Sequence, residues 1–329
     1  MHKHKLINKL TRQAPRRLPC HPKGNPMSAV LASAPAPAAG WPLYLRLVAV
    51  PAIWGGTFIA GRLVALAVPP GVGSVLRYLI ASLALVLAAK VLEGGLPRLD
   101  RRQLWVTFAL GATGIFAYNL FFLGALKHLP ASRTSLIIAL NPVVTIGLAA
   151  LLLRERLSLR RAMGVILALA GVWVVISRGD ITAALGQSVG LGEWLMFGGV
   201  WSWAAYTLIG RVALRGLTPL AATSYASLWG TLLLGLYSLT EWRGVELQAF
   251  TWPVVVAAVY LGLFGTALAF VWYSQGVQRI GAARTVVFNN LVPVFGATFG
   301  VLLLGEPLLP SMLIGGAIAV TGVMLASRP

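Results

Sequence analysis

The residues able to do chemistry in this 329-residue chain are few, and most are amides and aromatics. Asn119, Asn141, Asn289 and Asn290 place side-chain amides inside otherwise apolar runs. An amide in lipid either ties helices together, at about 0.6 kcal/mol per bond, or meets a bound solute. Both readings are open for each asparagine. Trp54, Tyr118, Phe122, Trp203, Trp272 and Tyr273 either fill space and belt the interface or line an apolar pocket with a few placed polar groups. Trp54, Tyr118, Asn119, Asn141, Trp203, Trp272, Tyr273 and Asn289 form the expected pool of contacts for a small-molecule ligand. Pro142 and Pro293 are expected to break or hinge the adjacent helices. Proline removes a helix hydrogen bond and disengages the carbonyl four residues back, here those of Ile138 and Asn289.

Other chemistries find no support. The eight acids are Glu93, Asp100, Glu155, Asp180, Glu193, Glu241, Glu246 and Glu306, and none stands at the centre of an apolar run. This argues against an intramembrane proton relay. No fixed charge is expected at the depth of the ligand pool, so binding is expected to be weak. Glu241 is expected in a loop remote from the site. Three of the four histidines lie in the first 21 residues and Cys20 is the single cysteine, which leaves no metal or cofactor site and no disulfide framework. An enzyme needs acid, base and nucleophile at one depth, and no such cluster is written here.

The elements that hold these residues follow from composition. The chain is 58% hydrophobic and 11% charged, far below the charge of about 25% in soluble domains. Ten apolar runs, near 43–66, 72–92, 104–126, 133–153, 159–177, 191–213, 220–240, 253–275, 284–304 and 311–327, approach the ~20 residues that cross a bilayer as helix. The fold class is therefore an all-α integral membrane protein with ten transmembrane helices. The net charge of +19 is not that of a nucleic-acid binder. Seven basic residues crowd the first 26 positions, and most others fall in short gaps on one side of the membrane. By the positive-inside rule both termini are cytoplasmic, in the plasma (inner) membrane. Residues 1–40 are basic, then rich in Ala and Pro, and are expected to be a disordered cytoplasmic tail. They lack the apolar core of a signal peptide, and Met27 is an alternative start.

The chain repeats itself. At a shift of 151, "ASRT" (131–134) matches "AART" (282–285), Pro142 matches Pro293, and Glu155 matches Glu306. At 149, "WGGTFIAGR" (54–62) matches "WAAYTLIGR" (203–211). Five spans per half insert the halves in opposite orientations, a design of secondary transporters. Arg133, Glu155, Arg284 and Glu306 then mark helix ends, either as interfacial anchors or as gate latches. With "IWGGTF", "LLLRERL", "GVILALAGV", "LLLGEPL" and "GGAIAVTGV", the chain resembles the EamA-like family of the drug/metabolite transporter superfamily over roughly 43–328. The resemblance implies two five-helix repeats, 41–178 and 190–329, and export of small metabolites such as amino acids by alternating access. A carrier of lipophilic drugs, or a membrane-embedded enzyme or lipid-handling protein, is the alternative. The expected partners are a small-molecule substrate and the lipid bilayer, with no nucleic acid.

Overall fold

The computed structural model describes residues 41–153, 158–178, 189–213, 216–280 and 282–327. The expectations for the 1–40 tail and for Glu155 lie outside the described residues. The described chain is nearly all helix: α1 (Trp41–Ala67), α2 (Pro70–Glu93), α3 (Arg101–His128), α4 (Ala131–Ile138), α5 (Asn141–Leu153), α6 (Leu159–Ile176), α7 (Leu191–Ala213), α8 (Pro219–Ser238), α9 (252–280), α10 (Ala282–Val287), α11 (Val292–Leu304) and α12 (Pro310–Ser327). Local signals set several starts. Pro70 opens α2 where its missing N–H costs nothing. Asp100 and Gln103 form a reciprocal capping box on α3. Ser158 and Thr218 cap α6 and α8.

Among the described residues, seven spans are long and apolar enough to cross a membrane: α1, α2, α3, α4 with α5, α6, α9, and α10 with α11. The other three of the ten expected spans are also helical, at α7, α8 and α12, but are shorter or less apolar. Helices α7 and α8 have the length, 23 and 20 residues, but carry Trp, Tyr, Ser, Thr and Gly where the others carry Leu, Ile and Val. Helix α12 is apolar only over Pro310–Ala326, one residue less than α6. Leu83, Ile166, Leu302 and Leu303 are each more than 60% exposed, as suits side chains covered by lipid rather than water.

The fourth and ninth expected spans are broken helices. The chain turns at residues 139–140 before Asn141 starts α5, and a 3-10 segment, Phe288–Leu291, separates α10 from α11. Pro142 and Pro293 stand in the first turns after the breaks, where a proline is tolerated.

Helices α3 and α9 each pass through a π-helical stretch, Gly111–Ala117 and Tyr260–Leu268. A glycine in each lets another helix approach. A Cβ on Gly114 would stand 2.2 Å from the Tyr206 ring of α7, and one on Gly265 would stand 2.6 Å from Thr57 of α1. Gly114 and Gly265 are 151 residues apart, and Thr57 and Tyr206 are 149 apart. The packing therefore recurs at the two shifts read from the sequence.

Two helix pairs are fastened along their length. Between α2 and α8, Ser82 Oγ lies 2.7 Å from Ser227 Oγ and 2.8 Å from Thr231 Oγ1. Between α6 and α12 the small residues Gly164, Ala168 and Gly171 face Gly315, Ala319 and Gly322 at backbone contact.

Candidate functional site

Two chains of aromatic rings meet on α1. Trp54 packs against Tyr273 and Phe270 of α9, with centroids 5.7 and 5.9 Å away, and its indole N–H donates to the Gly265 carbonyl at 3.0 Å. One turn further along, Phe58 packs edge-on against Phe122, which stacks on Tyr118. Tyr118 in turn meets Trp203 at 5.1 Å, and Trp203 meets Tyr206. The expected contacts Trp54 and Tyr273 are thus brought together, as are Tyr118 and Trp203. Trp272 is not among them. It lies under the guanidinium of Arg46, 6.0 Å from its centroid, toward the end of the bundle where α1 begins.

Between the ring chains lies a charge that counting by gaps missed. Arg77 is 6% exposed, within the apolar helix α2. Its Nη1 donates to Asn119 Oδ1 at 2.9 Å, and its Nε and Nη2 donate to Thr266 Oγ1 at 3.3 and 3.1 Å. Its Cζ sits 5.2 Å from the Tyr78 ring centroid, within cation–π range. The expectation of no fixed charge at this depth is therefore corrected. Asn119 is fully buried and both ends of its amide are engaged, since Nδ2 donates to the Ile115 carbonyl at 2.7 Å. It holds Arg77 from one side and the π-helical backbone from the other.

Asn141 and Asn289 differ from Asn119. The Oδ1 atom of each is buried and receives no hydrogen bond from the described residues. Both asparagines stand at the breaks, Asn141 directly before Pro142 and Asn289 within Phe288–Leu291, and the Asn289 amide lies beside the Tyr273 hydroxyl. Buried acceptors of this kind are costly to leave unmet and suit a ligand N–H.

One end of the bundle is closed by charges that are buried, at Arg133 and Glu193, or half-buried, at Glu241 and Glu306. Glu306 reaches from beyond α11 to the start of α4, where Oε1 and Oε2 accept the N–H groups of Ala131 and Ser132 at 2.7 and 2.8 Å. Glu241 does the same for α2, accepting from Gly71 and Val72 at 2.8 and 3.2 Å. A carboxylate at a helix N-terminus meets unpaired N–H groups and the positive end of the dipole. Glu241 lies in the turn after α8, as expected of a loop residue, but is engaged with the start of α2. Arg133, at the start of α4, is buried there. It pairs with Glu193 at 2.8 Å and donates to the Ile176 carbonyl at 2.6 Å. Arg62, the last residue of the repeated "WGGTFIAGR" and also within an apolar helix, donates to the carbonyls of Leu126 and Leu129 at the end of α3.

At the opposite end the polar contacts across the bundle are exposed. Arg46 donates to Gln275 at 3.2 Å and Thr218 to Glu93 at 2.7 Å, while Arg284 is exposed on α10. A cleft of about 410 Å³ opens at the closed end beside Pro70, Phe121, Lys127, Tyr237 and Glu241. It includes none of the expected ligand contacts.

The EamA-like transporter family matches residues 41–177 and 190–328. The uncharacterized transporter YyaM of Bacillus subtilis (strain 168) is 29% identical over 87% of this chain and 93% of its own length. A protein of Streptantibioticus cattleyicolor named "Probable terminal-alkyne amino-acid exporter" is 32% identical over 78% of this chain and 83% of its own. A solved crystal structure, 22% identical, matches with a TM-score of 0.59 over 88% of this chain and 97% of that one, which supports the fold. On these matches and on its apolar helices, the chain is a multi-pass membrane protein and belongs to the EamA-like transporter family.

Proposed function

We propose that this transporter exports small metabolites such as amino acids across the plasma membrane, by alternating access between inverted five-helix repeats at 41–178 and 190–329, with ten crossings and both termini cytoplasmic. The observation that carries the reading is the combination of recurring contacts and one-sided closure. Gly114 against Tyr206 and Gly265 against Thr57 are copies of one contact, while the buried Glu193 and the half-buried Glu241 and Glu306 tie helices together at one end. Two related halves around one central site are what alternating access requires. The named activity of the Streptantibioticus cattleyicolor relative points to amino acids. The rings of Trp54, Tyr118, Trp203 and Tyr273 would supply apolar contact, and Asn141 and Asn289 the acceptors. Pro142 and Pro293 would let the breaks flex. A lipophilic-drug carrier would use the same rings but would be hindered by a buried cation beside them.

Two experiments test this. Counterflow of radiolabelled amino acids into proteoliposomes is expected to fall roughly five- to tenfold in Trp54→Ala and in Asn289→Ala, the order of one truncated anchor contact. Glu246→Ala, in an exposed loop, is expected to match the wild type. Unchanged rates in both central variants would move the site elsewhere. Reporter fusions after Pro97 and Arg160 are expected to read as cytoplasmic, and those after Asp180 and Gly244 as external, from the Lys and Arg bias of the gaps. A cytoplasmic signal after Gly244 would break the inverted-repeat reading.

A further inference from the structure

We propose that Arg77 is the anion anchor of the transported solute, and that its guanidinium takes the carboxylate of an amino acid or a related organic acid. This rests on the reading of the protein as a metabolite carrier and names the chemistry its site selects.

The first ground is unbalanced charge. Arg77 is buried in an apolar helix, and its hydrogen-bond partners, Asn119 and Thr266, are both neutral. The described ion pair is Arg133 with Glu193, and no described carboxylate meets Arg77. Glu241 and Glu306 are engaged at helix starts, and Glu93 at Thr218. A buried guanidinium with no counter-charge is strongly unfavourable, and a bound anion would remove that penalty.

The second ground is unused donors. A guanidinium has five N–H groups. Three are directed at Asn119 and Thr266, which leaves one on each terminal nitrogen. Such a pair can be taken by the two oxygens of one carboxylate.

The third ground is asymmetry in a repeated fold. A Cβ on Gly262 would meet the Arg77 carbonyl at 2.8 Å, and one on Gly111 would meet the Ala226 carbonyl at 2.7 Å. Gly111 and Gly262 are 151 residues apart, and Arg77 and Ala226 are 149 apart. The second half thus makes the same helix contact with an alanine, so the packing does not require an arginine. The position of the side chain is also apt. Tyr118 of one ring chain adjoins Asn119, which holds Arg77. Thr266 follows Gly265, whose carbonyl holds Trp54 of the other.

The test uses full-length protein in detergent and in proteoliposomes. The probes are L-amino acids, each paired with its carboxamide, which keeps the side chain and ammonium but lacks the charged carboxylate. Thermal stabilisation and counterflow are measured for both members of each pair. The wild type is expected to favour the acids by roughly tenfold to a hundredfold, the span of a hydrogen-bonded charge interaction. Arg77→Gln is expected to lose that preference, while Arg77→Lys retains part of it. The isosteric Asn119→Asp supplies an internal carboxylate to Arg77. It is expected to abolish response to the acids while keeping any response to the amides, and it guards against a folding failure of Arg77→Gln.

A purely structural arginine would lower acids and amides alike, and that result overturns the proposal. So does a wild type that treats acid and amide equally, or an Asn119→Asp protein that handles the acids as the wild type does. A wild type indifferent to the whole panel also overturns it, while efflux of other metabolites by the same preparation would leave the carrier reading standing.

Discussion

Gly171→Val is expected to leave little correctly folded protein. A Cβ on Gly171 would stand 2.3 Å from the Ala319 nitrogen, 2.6 Å from the Gly315 carbonyl oxygen and 2.7 Å from the Ala319 Cα. These are backbone atoms of α12, so no side chain can swing aside. The reverse contact is as close, because a Cβ on Gly322 would stand 2.3 Å from the Ala168 nitrogen. Two methyl groups beyond the Cβ would force α6 and α12 apart along their whole seam. Overpacking a core costs typically 1–3 kcal/mol and occasionally more. In lipid the loss is felt fully, because van der Waals contact rather than water exclusion holds helices together. Size-exclusion profiles of a fluorescent fusion in mild detergent would measure it, with Gly147→Ala as the control. Nothing lies within 4 Å of a Cβ at Gly147, and that variant should elute as the wild type. A monodisperse Gly171→Val protein of unchanged melting temperature would contradict the close seam.

Glu306→Ala is expected to open the closed end. Its two oxygens accept from Ala131 and Ser132 across the bundle, and the substitution strands both N–H groups at the start of α4. A hydrogen bond to a charged group is worth about 1.5–3 kcal/mol, so losing the pair would shift the balance of states by roughly tenfold or more. A cysteine at Ser135, buried where α4 crosses α11 under Gly296, would report the shift. Its labelling by a membrane-impermeant maleimide from the Glu306 side should rise by about that factor. Glu306→Gln keeps one acceptor and should fall between. Equal labelling in all three backgrounds would reduce Glu306 to a local cap.

Seven of the spans and the repeat were legible because they depend on sums and on rare residues. A run of about 20 apolar side chains marks a crossing whatever its order. Trp, Arg, Pro and Glu recurring at fixed shifts are hard to match by chance among leucines. Arg77 and Arg62 were illegible to a count of charge by gaps, because each is a single cation inside an apolar run. The signal was nevertheless present in "SVLRYLIA", since an intramembrane ionisable group is a functional candidate by default. The partnership of Glu241 with Gly71, 170 residues away, has no local trace. Neither do the π-helical stretches, whose glycines matter through the helices that reach them. The split of the asparagines into an engaged Asn119 and open acceptors at Asn141 and Asn289 depends on rotation about each helix axis. Periodicity in a uniformly apolar helix does not define that rotation.

The fastening of α2 to α8 and of α6 to α12 limits the motion available to the carrier. Helix α2 is tied to the α8 side by Glu241 at its start and by Glu93 at its end, with the Ser82 hydroxyl contacts between. Helix α6 is seated on the backbone of α12. Each pair joins one half of the chain to the other. The halves therefore cannot part like the two leaves of a book, since both spines would have to tear. In the alternating access proposed above, the pairs would act as fixed posts and the helices between them would be the moving parts. Of these, α4 with α5 and α10 with α11 already carry joints, at residues 139–140 and at Phe288–Leu291. On the proposed alternating-access reading, transport would then be a bending of jointed rods between these seams, with a stroke set by how far the two joints can flex.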